Sequence, residues 1–133
     1  MRSYALIRLA ALFATATALT TCQDSTRPPP PGWLSVRLIT PNFDDGGVLF
    51  TIDGARIDSV RSTYPHLVSR AESETLHRIV VGGIVSGGVI AEIWVDDTRS
   101  LDRYVTTVNE VAVRTTFAQR PTTGYAIELT APR

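Results

Sequence analysis

From Trp33 to the end of the chain, apolar side chains recur at every second position, a period that fits extended strands and leaves no room for a long helix. Leu34, Val36 and Leu38 alternate with Ser35 and Arg37, and Val48, Phe50 and Ile52 alternate with Leu49, Thr51 and Asp53. His77, Ile79 and Val81 lie opposite Leu76, Arg78 and Val80. Val89, Ala91, Ile93 and Val95 form one row against Ile90, Glu92 and Trp94. Val105, Thr107, Asn109, Val111 and Val113 form one row of a long strand, and Tyr125, Ile127 and Leu129 close the chain. Val, Ile, Thr and aromatic residues dominate these runs because branched and flat side chains pack well on a pleated surface. Weaker runs stand at 56–61 and 66–70.

Turn formers separate the runs: Pro41-Asn42, Asp44 to Gly47, Asp53-Gly54, Gly82-Gly83, Ser86 to Gly88, Asp96-Asp97, and Pro121 to Gly124. Seven or eight short strands in about 100 residues, with breaks every 8 to 12, predict an all-β fold: an antiparallel β-sandwich of immunoglobulin-like size. Between Asp97 and Tyr104 there is room for one helical turn.

Upstream the pattern is different. Basic Arg2 and Arg8 precede Leu9 to Leu19, which is uncharged. A short basic segment, an apolar run of about a dozen residues and a small-residue exit make a secretory signal. The run falls short of the roughly 20 apolar residues that span a bilayer. Residues 23–32 offer no apolar side chain except proline rings, and the four prolines Pro28 to Pro31 favour a semi-rigid polyproline spacer. The expected organisation is a signal-peptide helix over 1–21, a linker over 22–32 and a sandwich domain over 33–133.

At the junction stands Leu19-Thr20-Thr21-Cys22, which resembles the lipobox of bacterial lipoproteins. That resemblance implies a diacylglycerol on the Cys22 thiol, cleavage just before it and acylation of the new amino group. Leu19 and Cys22 match; Thr21 stands where Gly, Ala or Ser is usual. A lone cysteine in an exported chain has no internal disulfide partner, and acylation removes an exposed thiol. Several acyl chains anchor firmly where one holds marginally. The implied partner is therefore a membrane, reached through Cys22, in the cell envelope. The alternative is plain secretion or periplasmic release, with cleavage after Ala16 or Ala18.

No cofactor motif is present, and no catalytic or metal-ligating set is assigned. His66 and His77 are the only histidines, and no zinc spacing pairs them. The acidic turns Asp44-Asp45 and Asp96-Asp97 lack an Asp-x-Asp-x-Asp-Gly loop, so turn geometry is the first reading and calcium an open alternative. Gly82-Gly83 and Gly87-Gly88 lead into a strand and lack the Lys-Ser/Thr ending of a phosphate loop, reading instead as a hairpin. All 13 basic residues are Arg; without Arg2 and Arg8, 11 remain against 13 acidic residues, scattered singly, a balance that gives no attraction to nucleic acid. Trp94 and Tyr104 are the candidate surface-binding residues, with Trp94 expected in the core or at its rim.

The segments Gly47-Val-Leu-Phe-Thr-Ile-Asp53, Ser86-Gly-Gly-Val-Ile-Ala-Glu-Ile-Trp-Val-Asp96 and Tyr104-Val-Thr-Thr-Val-Asn-Glu-Val111 resemble strands of cohesin-like, carbohydrate-active sandwich modules. The resemblance covers half the domain and implies protein or glycan binding. The functional expectation is a lipid-anchored envelope binding or structural module without catalysis; the alternative is a small envelope enzyme or carbohydrate-binding accessory domain. Intact-mass spectrometry of the mature protein should find acyl chains on Cys22, and Cys22→Ala should abolish that mass and release the chain from the membrane fraction. An unmodified terminus upstream of Cys22 refutes the anchor.

Overall fold

A computed structural model describes residues 29–131; the signal segment, Cys22 and most of the linker lie outside the described residues. Nine strands form: β1 (Gly32–Ile39), β2 (Asp45–Asp53), β3 (Ser59–Arg61), β4 (His66–Ala71), β5 (His77–Val85), β6 (Gly88–Val95), β7 (Val105–Val113), β8 (Gln119–Arg120) and β9 (Ala126–Thr130). They make two antiparallel sheets, ordered β3-β6-β1-β9 and β4-β5-β2-β7-β8. A single 3-10 turn, Leu101–Arg103, occupies the place expected for one helical turn.

The sheets face each other because each has one apolar side that must leave water. Leu34, Val36 and Leu38 of β1, Val48, Phe50 and Ile52 of β2, and Ile79 and Val81 of β5 fill the space between them, as their alternation predicts. Ile93 and Val95 of β6 and Ile127 of β9 complete the layer.

Two expected rows are broken by β-bulges. Val36 pairs with Ala91 but Arg37 pairs with Val89, so Ile90 is an extra residue on β6. Ile90 and Ala91 are therefore both buried, Val89 is exposed, and Trp94 faces outward, on the opposite side of the strand from Ile90. On β7, Leu49 pairs with Glu110 and Phe50 with Val108, leaving Asn109 unpaired. Val108 and Val111 thus both pack on the core, while Val105 and Thr107 point to solvent. A bulge inserts one residue without a partner and inverts the in-out phase on either side of it. Gly82-Gly83, expected as a breaker, lies inside β5, and the reversal falls at Ser86-Gly87.

The chain enters and leaves at one end of the sandwich. Val95 pairs with Gly32 and Thr130 with Ser35, so both termini of the domain share this proximal end with loops 54–58, 72–76 and 96–104. The Pro30 carbonyl accepts the Thr98 amide at 3.0 Å, clipping the last of the linker to the β6–β7 loop. Loops 40–44, 62–65, 86–87, 114–118 and 121–125 form the opposite, distal end.

Asp45, fully buried, organises that distal end. Its carboxylate accepts hydrogen bonds from Thr40 Oγ1 (2.8 Å), the Tyr125 hydroxyl (2.8 Å) and Arg120 Nη1 (3.1 Å). Arg120 also grips Asp44 with two nitrogens, at 2.9 and 3.1 Å, and holds its carboxyl below the usual carboxylate range. Asn42 Nδ2 donates to the Tyr125 hydroxyl at 2.7 Å. A buried charge is tolerated only with this degree of partnering. Tyr125→Phe removes one donor from Asp45 and the acceptor of Asn42. The variant should lose about 2 kcal/mol of stability in urea with an unchanged denaturant slope. A midpoint equal to that of the wild type would show that Asp45 does not need the hydroxyl.

Candidate functional site

The residues that sequence singled out are not brought together. Trp94 stands on the outer face of the four-stranded sheet, edge-on to its cross-strand partner Trp33, with ring centroids 5.4 Å apart at 75°. The guanidinium of Arg61 lies 4.0 Å above the Trp33 ring and pairs with Glu92 at 2.6 Å. The open face of Trp33 is thus covered by a residue of the domain itself, an intramolecular cation–π contact. Trp94 is half-buried on this outer face and is not part of the core. Tyr104 follows the 3-10 turn at the proximal end and packs against the core; burial raises its hydroxyl pKa, with Asp96 adding to the shift.

The acidic turns have partners of their own. Asp44 pairs with Arg120, and Asp45 accepts from Arg120, Thr40 and Tyr125. Asp97 accepts from Ser100 Oγ (2.6 Å) and the Arg99 amide (2.9 Å), which lower its carboxyl pKa. Among the described residues, no three His, Cys, Asp or Glu side chains converge as metal ligands. His77 opens β5 facing inward, and burial pushes its imidazole below the ordinary value.

The feature that sequence reading missed is at the distal end, a depression of about 550 Å³ between the β3–β4 crossing and the β7–β8 hairpin. Tyr64, Pro65 and His66 form one wall, Ile84 and Gly83 the floor, and Arg114 and Phe117 the other wall. Local chemistry fixes both walls. Ser62 Oγ donates to the Ile90 carbonyl at 2.5 Å and accepts the Tyr64 amide at 3.1 Å, pinning the crossing as it passes from one sheet to the other. Gly83 has φ 137°, and a Cβ there would stand 3.0 Å from the Pro65 ring, so glycine lets the wall close on the floor. Across the depression, the Arg114 amide donates to the Asp44 carbonyl at 2.9 Å, which joins this wall to the Asp45 network.

Phe117 is the anomaly. It has φ 58°, the only positive value at a non-glycine among the described residues, and 81% of its surface is exposed. Its amide donates to the Val113 carbonyl at 2.9 Å and the Val113 amide to Ala118 at 2.9 Å, so the hairpin needs a left-handed residue there. Glycine or asparagine meets that need without strain. Phenylalanine meets neither the backbone's preference nor the solvent's. Phe43, 86% exposed, stands in the adjacent β1–β2 loop, and Ile84 is 70% exposed. The sequence carried one faint signal, a lone aromatic in the polar stretch Arg114-Thr-Thr-Phe-Ala-Gln119, which has no strand period to explain it.

No family model, curated protein or solved structure matches this chain.

If the hairpin tolerates Phe117 only for the sake of its ring, Phe117→Asn should raise stability by about 1 kcal/mol, read as a higher urea midpoint. A lower midpoint would mean that the ring supports the fold.

Proposed function

We propose that this chain is a lipid-anchored binding module of the bacterial cell envelope, engaging its ligand through the distal depression and performing no chemistry of its own. The observation that carries this reading is Phe117, a solvent-exposed aromatic ring held in a disfavoured backbone conformation at the rim of a concave site. Strain of this kind persists where the surrounding structure imposes it, and it gathers at ligand-contacting positions. Exposed aromatics on positioned loops supply contact area at low entropic cost.

The tether supports the same reading. With Cys22 in a bilayer, the linker reaches the domain at the proximal end, where Pro30 meets Thr98. The depression then points away from the membrane. Ten residues in polyproline II conformation would rise about 30 Å, enough to lift a domain clear of lipid headgroups. His66 lines the depression, but among the described residues no carboxylate lines it, which leaves the imidazole without the carboxylate partner that base catalysis often uses.

Reconstituting the lipidated protein into liposomes and floating them with lipid-free envelope fragments tests this reading. Wild-type liposomes should carry fragments upward, and Phe117→Asn should reduce the bound fraction at least tenfold. Absence of flotation, or equal flotation by both proteins, refutes the reading.

A further inference from the structure

We infer that the distal depression binds a carboxylate-bearing saccharide, the sugar ring lying against Phe117 and Tyr64 and its carboxylate meeting Arg114. This inference rests on the binding-module reading and specifies its ligand.

The argument begins with the charge of the depression. Of the nine described arginines, Arg56, Arg61, Arg70, Arg78, Arg99 and Arg120 lie within ion-pair distance of carboxylates of the domain; Arg37, Arg103 and Arg114 do not, and of these three only Arg114 is partly withdrawn from solvent. Arg114 lines the depression, is half-buried, and has no carboxylate within 4.0 Å among the described residues. It acts on Asp44 only from longer range, and that carboxylate is already clamped by both nitrogens of Arg120. A planar guanidinium with free donors, partly withdrawn from water, is matched in shape and charge by a carboxylate.

The walls select what carries that carboxylate. Phe117 and Tyr64 offer aromatic rings, and Ile84 and Pro65 offer aliphatic surface, so the body of the ligand must present an apolar face. His66, Thr63 and the Tyr64 hydroxyl add polar atoms at the rim. The Tyr64 hydroxyl is not committed to the core: its contact is with the Ser86 amide at 3.5 Å, in an exposed setting. A pyranose ring combines a C–H face with peripheral hydroxyls, and a uronic acid adds the carboxylate. A volume of about 550 Å³ lies within the range of sites that take small ligands, and the open mouth admits a chain. Arg114 keeps its place because Gly46, at the bulge of β2, leaves no side chain in its way; a Cβ there would lie 2.5 Å from the Arg114 Cα.

Calorimetric titration of the full-length lipidated protein in detergent micelles tests the inference. The probes are an oligogalacturonate and a neutral galactose oligomer of equal length. The acidic oligomer should bind at least tenfold more tightly than the neutral one. Arg114→Gln should remove that difference and leave the unfolding midpoint in place, and Phe117→Asn should weaken both oligomers. Raising sodium chloride from 50 to 500 mM should weaken only the acidic oligomer. Equal affinity for the two probes, wild-type affinity in Arg114→Gln, or no binding of either overturns the saccharide inference. Flotation that depends on Phe117 but not on Arg114 would leave the module reading intact while rejecting the acidic ligand; loss of flotation altogether would reject the module reading itself.

Discussion

A single buried carboxylate, Asp45, links the register of the five-stranded sheet to the shape of the distal end. It sits where β2 bulges against both β5 and β7, so its position fixes how both neighbours align with the core row Val48, Phe50 and Ile52. Its three donors come from the β1–β2 loop, from β8 and from the turn before β9. Segments far apart in sequence thus converge on one charge that water cannot reach. An apolar residue at the same place would satisfy the core but would give the loops no common point of attachment. The Arg120 fork extends the arrangement to Asp44, and the Asp44 carbonyl holds the amide of Arg114. One wall of the candidate site is therefore joined to the core through hydrogen bonds, while the other rests on it through the packing of Tyr64.

The sandwich was legible because burial between two layers leaves a strict period of two, and β1, β5 and the part of β2 from Val48 onward keep it. Where reading failed, the cause was a bulge. A single unpaired residue changes the face of everything beyond it, and neither Ile90 nor Asn109 differs in type from an ordinary strand residue. Strict alternation with Ala91, Ile93 and Val95 would turn Val89 inward and Ile90 outward, and the structure has the reverse, which is what betrays the shift. Asn109, flanked by Val108 and Glu110, gives no sign until its partners on β2 are known. The two-residue β8 is shorter than any period and had no signal to offer.

The site was less legible for a different reason. Aromatic content drew attention to Trp94 and Tyr104, yet one is partnered by Trp33 on the outer face of a sheet, while the other packs against the core at the proximal end, away from the depression. What marks Phe117 is a backbone angle, and a backbone angle belongs to the hairpin rather than to the side chain. What marks Arg114 is that, among the described arginines without a counter-charge, it alone is half-buried, and it lines the depression. The first is a property of the hairpin backbone and the second a relation to residues distant in sequence. Composition counts arginines and phenylalanines without saying which of them the fold leaves unsatisfied.

The topology gives that unsatisfied end a use. Eight of the nine strands run between the ends of the sandwich and β8 is too short to do so, so the chain leaves where it entered. Both termini fall at the proximal end, and five loops gather at the other with no terminus among them. The Asp45 network ties together loops 40–44, 114–118 and 121–125, so the strain at Phe117 cannot relax by letting the hairpin move without breaking the contact of Arg114 to Asp44. A flexible hairpin would turn the ring inward and lose it as a contact surface. Rigidity at the base of the loops is thus the condition for exposure at their tips, and it is a charge buried beneath them, more than the apolar core, that supplies it.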